Sequence, residues 1–435
     1  MVVLEAKTSL TSGVSWCIAD HRTRSSDVGK RITNMAEGKR VITDLDDCLT
    51  VANTCLDKPY IYDFGKQLYD RGLATANALV WKPQRKLLNP AFNQQILNTF
   101  FQEYSLQAKR LTTKLSNEAG KETVIGVKPN DHEQEITLKN YAHATDKFFA
   151  ILEDRIFSVW LHLPVIFNMS NLKKKQDAVI QFLKSTTETI IMNRKSERKQ
   201  TTYADSVPEA TSGYKPILDL LLDIGEKQVF TDEEIREQLD TIIGAAYDTI
   251  TRAMTFCLIL IGTYPKVQAR IQEELQEVFD DSDRDLTRHD LPRLVYLEAV
   301  LKETLRLYPP VPRVGKSSES PVRLKHYTFP AGTTFFLSLY GMNRHAVWGA
   351  DANEFNPDRW LSPDTLPDNP NAFATFSIGK RNCIGKQSAM MSMKTTLAYI
   401  LRRYSVTGDI RNVQCKCDII LKPVSGHYIG LQLRS

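Results

Sequence analysis

The stretch FSIGKRNCIG, Phe376 to Gly385, sets a single cysteine, Cys383, between Gly379 and Gly385 and two residues after Arg381. A buried structural cysteine needs neither glycine, and a disulfide half needs a partner. The stretch falls where a glycine-bearing loop gives way to a helix expected from just after Cys383 to about Arg403. Unpaired N–H groups at a helix start favour a thiolate and donate to its sulfur. Glycines let the backbone turn sharply and pass close to a flat ligand. Arg381 is placed to pair with an anionic group on that ligand. A thiolate held axially to haem iron needs this arrangement, which makes Cys383 the candidate metal ligand.

The chain has 435 residues, 42% of them hydrophobic and 25% charged, which allows a large core. A net charge of +5 implies a mildly basic face. No polybasic tract is interleaved with aromatics, so no nucleic-acid binding is expected. KKK at Lys173 to Lys175 and RKSERKQ at Arg194 to Gln200 read as solvated surface. The seven cysteines are irregularly spaced and form no CxxC pair, which disfavours zinc and fits a reducing compartment. Cys415 and Cys417 share one face of an expected strand and read as ordinary strand cysteines. No signal peptide is visible, and no unbroken apolar run of about 20 residues marks a transmembrane helix. The stretch Ile156 to Leu172 is apolar but interrupted by Pro164, Asn168 and Asn171. It reads equally as a membrane-interface segment and as a buried helix end with a loop.

Residues 1–38 are polar, without clear periodicity, and read as a poorly structured segment with no membrane anchor. From Lys39 a short strand leads to a helix capped near Asp44. Lys82 to Gly120 reads as mostly helical, with Gly120 as a C-cap. Further helices are expected through 137–160 and 174–195, and a polar loop over Lys195 to Pro216. Thr231 with Glu234 three residues on is a capping box, and it opens the longest helical pattern in the chain. Two amphipathic helices, a strand region over Val322 to Met342 with a turn at Pro330 to Gly332, the helix after Cys383 and a few final strands complete the reading. The expected fold is mainly α with a minor β component, and no internal repeat is found.

Mid-way along the longest helix stands GAAYDTIT, Gly244 to Thr251. An acid beside a hydroxyl, Asp248 and Thr249, can relay protons and order water on a helix facing a cofactor. These two are the candidate catalytic residues. The bland reading is a solvated Asp248 and a Thr249 bonded back to its own helix.

FSIGKRNCIG resembles the haem-binding loop of the cytochrome P-450 family, F-x-x-G-x-R-x-C-x-G, with Phe376, Gly379, Arg381, Cys383 and Gly385 filling every fixed place. KETLR, Lys302 to Arg306, and FNPDRW, Phe355 to Trp360, resemble two further motifs of the family, in the family's order. The resemblance implies a structural Glu303–Arg306–Arg359 lock that braces the cysteine loop. It implies that Trp81 and Arg85 of WKPQR reach a haem propionate, and that Lys316 of VPRVGK stands where the fatty-acid-hydroxylase branch has arginine, keeping the charge and losing the fork. Pro83 is tolerable there if it lies in the first helical turn. Ala245 stands where some fatty-acid hydroxylases carry a glutamate esterified to haem, so that link is impossible here.

The resemblance runs from about Lys39 to the C-terminus and is nearest to the insect and animal branch with fatty-acid ω-hydroxylases. It implies a haem-thiolate monooxygenase domain over 39–435, with haem b between the long central helix and the cysteine-loop helix. It further implies O2, a small apolar substrate such as a fatty acid, hormone-like lipid or xenobiotic, and electrons from an NADPH-dependent reductase with an acidic face, with cytochrome b5 as a further donor. Lys82, Lys86, Lys380 and Lys386 would be the docking cations. The implied place is the cytosolic face of the endoplasmic-reticulum membrane. Two departures stand out. The anchor is not visible, and Glu118 to Asn130 joins regions that the family separates by a helix-length stretch of its core bundle. The alternatives are a haem-binding but inert variant and a haem-thiolate isomerase or dehydratase, against which Asp248–Thr249 argues.

Overall fold

The computed structural model describes residues 34–35, 39–116, 122–123, 133–204, 216–227, 229–280 and 282–434. In chain order the helices are α1 (Leu45–Thr54), α2 (Lys66–Tyr69), α3 (Ala78–Leu88), α4 (Gln94–Ser116), α5 (Glu133–Phe157), α6 (Pro164–Met169) and α7 (Asn171–Ala204). They continue as α8 (Ile217–Glu226), α9 (Asp232–Thr263), α10 (Pro265–Phe279), α11 (Val295–Leu307), α12 (Leu339–Met342) and α13 (Lys386–Arg403). The strands are β1 (Asn34–Met35), β2 (Lys39–Ile42), β3 (Glu122–Thr123), β4 (Arg313–Ser317), β5 (Val322–Arg323) and β6 (Thr328–Phe329). After them come β7 (Thr334–Ser338), β8 (Tyr404–Thr407), β9 (Gln414–Cys417), β10 (Leu421–Ser425) and β11 (Ile429–Leu433). Helices dominate and the strands are short, as the sequence pattern implies.

Within 1–38 only β1 is described, paired antiparallel with β2. The Gly120 cap and the junction from Glu118 to Asn130 lie outside the described residues, except for β3, which pairs with β11. A four-stranded sheet has the order β1-β2-β7-β4, with β2 parallel and β4 antiparallel to β7. Gly332 makes the expected turn at φ +79°, but the end of the strand region, α12, is helical.

Helix α9 is held at its start by the reciprocal box: Thr231 Oγ1 accepts from the Glu234 N–H at 3.2 Å, and Glu234 Oε2 accepts from the Thr231 N–H at 3.0 Å. Its first half buries charge. Asp240 accepts from Arg236 (2.9 Å), Tyr141 of α5 (2.9 Å) and Thr187 of α7 (2.6 Å), which ties three helices together. Its second half is apolar: Cys257, Leu258, Ile259 and Ile261 pack with Leu297 and Leu301 of α11 and Leu397 and Leu401 of α13. By length and composition α9 could cross a membrane, which the search for an unbroken apolar run does not find. Averaging over the helix tolerates Asp248 and Arg252; the buried ion pair and the packing make α9 the core helix.

The loop expected from Lys195 is helical as far as Ala204. Charge pairs to α8 and the start of α9 hold it so. Arg194 meets Asp219 at 2.7 Å, Arg198 meets Asp223 at 2.9 Å, and Lys195 meets Asp232 at 2.6 Å. The Ile156–Leu172 stretch is not a buried helix end. Phe157, Val159, Trp160, Leu163, Val165 and Met169 are exposed, Trp160 by 62% and Met169 by 82%.

The cysteine loop rests on a buried charge cluster. Glu303 accepts from Arg306 through both oxygens at 2.8 Å, from Arg359 Nε at 3.0 Å, from the Asn356 N–H at 3.0 Å and from Trp360 Nε1 at 2.9 Å. Arg306 also donates to the carbonyls of Asn343 and Glu354. Asn343 Oδ1 accepts from the Ala374 N–H at 2.8 Å, and Thr375 donates to Leu305 O at 2.8 Å, which brings the brace to the foot of the loop. Removing the carboxylate leaves the Arg306 guanidinium buried without an acidic partner among the described residues and leaves Arg359 with Asp351 alone, at 2.7 Å. Glu303→Ala is therefore expected to cost about 3–5 kcal/mol of stability in urea unfolding; a loss under about 1 kcal/mol would contradict the bracing role.

Candidate active site

Cys383 is presented by its own backbone. Its N–H donates to Phe376 O at 2.8 Å, and the Asn382 N–H donates to Gly379 O at 3.2 Å. Two residues of the loop are left-handed, Ser377 at φ 60° and Gly379 at φ 71°. A Cβ at Gly379 would lie 2.8 Å from Ala52 Cβ, so conformation and space both demand glycine there. Gly385 differs from expectation. Its φ of −88° suits any residue, and a Cβ there would meet Cys383 Sγ at an ordinary 3.9 Å. What Gly385 supplies is its N–H, directed at the sulfur.

The Cys383 side chain is exposed on one side and enclosed by protein on the others. The enclosure pushes the thiol up from its ordinary range; the Gly385 N–H, Arg85 and Lys386 act the other way. The net lowering expected from a helix start alone is thus outweighed by desolvation. Ile384, next in the chain, packs into the cluster that holds Leu88 of α3 and Leu239 of α9, so the loop, α3 and α9 meet here.

The expected cofactor cations are present but unequal. Trp81 is buried, and the Arg381 guanidinium lies 4.8 Å over its ring. Arg381 donates to the carbonyls of Leu56, Leu73 and Ala76 at 2.6–3.0 Å. Arg85 turns to the loop itself, donating to Asn382 O at 2.8 Å and Oδ1 at 3.2 Å, and to Asn89 at 2.7 Å. Trp81 thus lies under Arg381, and Arg85 reaches the Cys383 loop. Pro83 lies inside α3, beyond the first turn. Its missing N–H frees the carbonyl of Leu79, which stands at an exposed position open to water.

Lys316, in β4, is only 1% exposed and has no acidic partner among the described residues. Burial, then Arg381, lowers its ammonium to about 8. Phe376 is half-buried, and Lys386 lies 5.7 Å over its ring.

On α9, Asp248 and Thr249 each bond within their own helix. Asp248 is buried, and its Oδ1 accepts from Arg252 Nε at 2.9 Å. Thr249 bonds back to Ala245 O at 2.8 Å, so its hydroxyl proton is committed to its own helix. Ala245, Ala246 and Tyr247 are exposed mid-way along α9, between buried Gly244 and Asp248. On α5, Asp146 is held above its usual range by burial and by the Asp248 charge, with Arg252 opposing. The arginine four residues after Asp248 is visible in sequence as an i,i+4 partner; Asp146 carries no sequence signal.

The sequence profile "Cytochrome P450" matches residues 128–429. A cockroach relative, "Cytochrome P450 4c21" of Blattella germanica, is 31% identical over 87% of this chain and 80% of its own. "Cytochrome P450 4d8" of Drosophila melanogaster is 30% identical over 90% of each chain, and "Cytochrome P450 4V2" of Mus musculus is 30% identical over 87% of this chain and 77% of its own. The chain belongs to the cytochrome P450 family.

Among solved structures, "Crystal structure of a Cytochrome P450 (CYP102L1)" superposes with a TM-score of 0.71 at 20% identity, over 91% of this chain and 89% of that one, which establishes the P450 fold. This P450 is an oxidoreductase of the monooxygenase class whose cofactor is haem, iron protoporphyrin IX. The residues present fit that cofactor. An accessible sulfur faces out of a backbone-locked loop, and a buried ammonium, Lys316, lacks the anion that a haem carboxylate supplies.

Proposed function

We propose that this P450 hydroxylates or epoxidises an apolar substrate, a fatty acid or related lipid, within one haem-thiolate domain over 39–435, with electrons from an NADPH-dependent reductase. When bound, the thiolate-ligated haem iron supplies the dioxygen activation that monooxygenation requires. The observation that carries the reading is the Cys383 sulfur, held by the Phe376 carbonyl and Gly379 turn and accessible on one side. Arg85, Lys386 and the Gly385 N–H favour its ionised form. Lys316 holds the carboxylate edge of the cofactor, framed by Trp81 and Arg381.

Asp248 is the proton carrier in this reading. Arg252 occupies one of its oxygens, and the other has no protein donor among the described residues, so water can reach it. Thr249 serves as an orienting hydroxyl once it releases Ala245 O. That commitment is also the observation favouring an inert haem protein, and one assay separates the two readings.

Electron delivery belongs to a face bearing Lys82, Lys86, Lys380 and Lys386, all exposed. Beside the Phe376 end of the loop opens a cleft of about 1010 Å³ lined by Arg288, Lys302, Trp360, Phe376, Lys386 and Lys394 among others. Neither Cys383 nor any residue of α9 lines it, so it lies apart from the oxygen chemistry; Glu298, also in the lining, pairs with Lys302 at 2.7 Å and Lys394 at 2.8 Å, which leaves Arg288 and Lys386 as the cations it offers an acidic reductase surface. The exposed apolar residues from Phe157 to Met169 support seating on a membrane surface, and the endoplasmic-reticulum membrane is the proposed location.

Reduced protein with carbon monoxide is expected to give a thiolate-type difference spectrum, and with reductase and NADPH it is expected to convert a fatty acid, the rate falling as salt rises. Asp248→Asn should keep that spectrum and lower turnover about 10²-fold. A thiolate spectrum with no product from the wild type would establish the inert reading instead. Full-length protein is expected to sediment with anionic vesicles, and Trp160→Asp with Met169→Asp to weaken this at least several-fold; undiminished sedimentation would contradict the membrane face.

A further inference from the structure

Lys316 does not stand alone. The Ser317 N–H donates to Asp57 O at 2.9 Å, and Asp57 and Ser317 form an isolated antiparallel bridge. One step along that bridge in each chain stand Lys58 and Lys316. Like charges directly opposite across paired chains destabilise them, and taking an ammonium out of water is costly unless it is paired; Lys316 is buried and Lys58 half-buried. Here both penalties coincide, and among the described residues neither lysine has an acidic partner. Asp57 pairs with neither lysine: its Oδ1 accepts from the Ala78 N–H at 2.8 Å, at the start of α3, and its charge acts on Arg381. The Lys58 ammonium is steered over the Tyr62 ring, 4.4 Å from its centre, and Tyr62 in turn accepts from the Gly315 N–H at 3.1 Å. Arg381 closes the third side, but its donors serve the carbonyls of Leu56, Leu73 and Ala76 and its plane lies over Trp81. It frames the site and leaves the two ammonium groups as the available donors. Burial, with Arg381 and Lys316, holds Lys58 well below its usual range, in keeping with this crowding.

We propose that Lys58 and Lys316 form a two-lysine carboxylate clamp, and that the carboxylate it takes is a haem propionate. This rests on the haem reading above and adds Lys58 as a ligand to the cofactor's edge. The same chemistry would hold the head group of a fatty-acid substrate, and the test separates the two sources. Charge-assisted pairs of this kind are the strong class of hydrogen bond, so their loss reads out as faster cofactor release.

The experiment compares the full-length wild type with Lys58→Gln and Lys58→Arg. Release of protohaem to excess apomyoglobin is followed by the Soret band, and repeated with haem dimethyl ester, whose carboxylates are blocked. Lys58→Gln is expected to release protohaem about 10-fold faster. Lys58→Arg should stay within about 2-fold of wild type. With the dimethyl ester, wild type and Lys58→Gln should release at equal rates. Protohaem release from Lys58→Gln at the wild-type rate overturns the proposal. So does an equal difference with the dimethyl ester, which would mark a structural role. Unchanged haem release with weaker spectral binding of dodecanoic acid, but not of its methyl ester, assigns the clamp to substrate and overturns the haem assignment. A wild type with no Soret band defeats the haem reading itself; a normal band without a Lys58 effect defeats only the clamp.

Discussion

One sulfur atom, held in place by main-chain hydrogen bonds, sets the terms for the rest of the molecule. Cys383 is positioned by the Phe376 carbonyl, by a left-handed Gly379 wedged against Ala52, and by the Gly385 N–H. None of these contacts tolerates much movement, so the loop needs a rigid base. Glu303, Arg306 and Arg359 supply it at the cost of a fully buried charge cluster. Such clusters are poor sources of net stability. Here the cluster fixes the relative position of α11, the 357–360 turn and the foot of the loop, which is a geometric service.

A second tension points the same way. The protein collects the cations Lys58, Lys316, Arg381 and Arg85 around one edge of the site, with Asp57, which acts on Arg381, as a lone acid among them. An isolated chain gains nothing from that arrangement. In the proposed clamp a cofactor with two carboxylates would turn that penalty into an attraction, which would couple cofactor binding to folding through these groups. The thiol shows the same logic: protein enclosure favours the neutral form, while three neighbouring groups favour the ionised form that a metal demands.

Much of this was legible in the sequence. The capping box at Thr231, the helix after Cys383 and the brace motifs are local patterns whose spacing maps directly onto helix geometry, and they hold. The contact of Arg85 with the Asn382 carbonyl is not legible in the sequence, because it is tertiary. Asp248 and Thr249 were read as a pair because they are adjacent. Adjacent helical residues point in different directions, and each found its partner one turn away, at Arg252 and Ala245. Lys58 gave no signal, since nothing local shows that Asp57 will bridge to Ser317. The long reach of α7 was missed because its polar composition resembles a loop until α8 supplies the opposite charges.

The most direct measurement is the carbon-monoxide difference spectrum of the reduced, haem-loaded protein, wild type against Cys383→Ala. The expected result is a thiolate-type band in the wild type and none in the variant. The same band in both proteins would contradict the assignment of Cys383 as the iron ligand, and with it the account built on that bond.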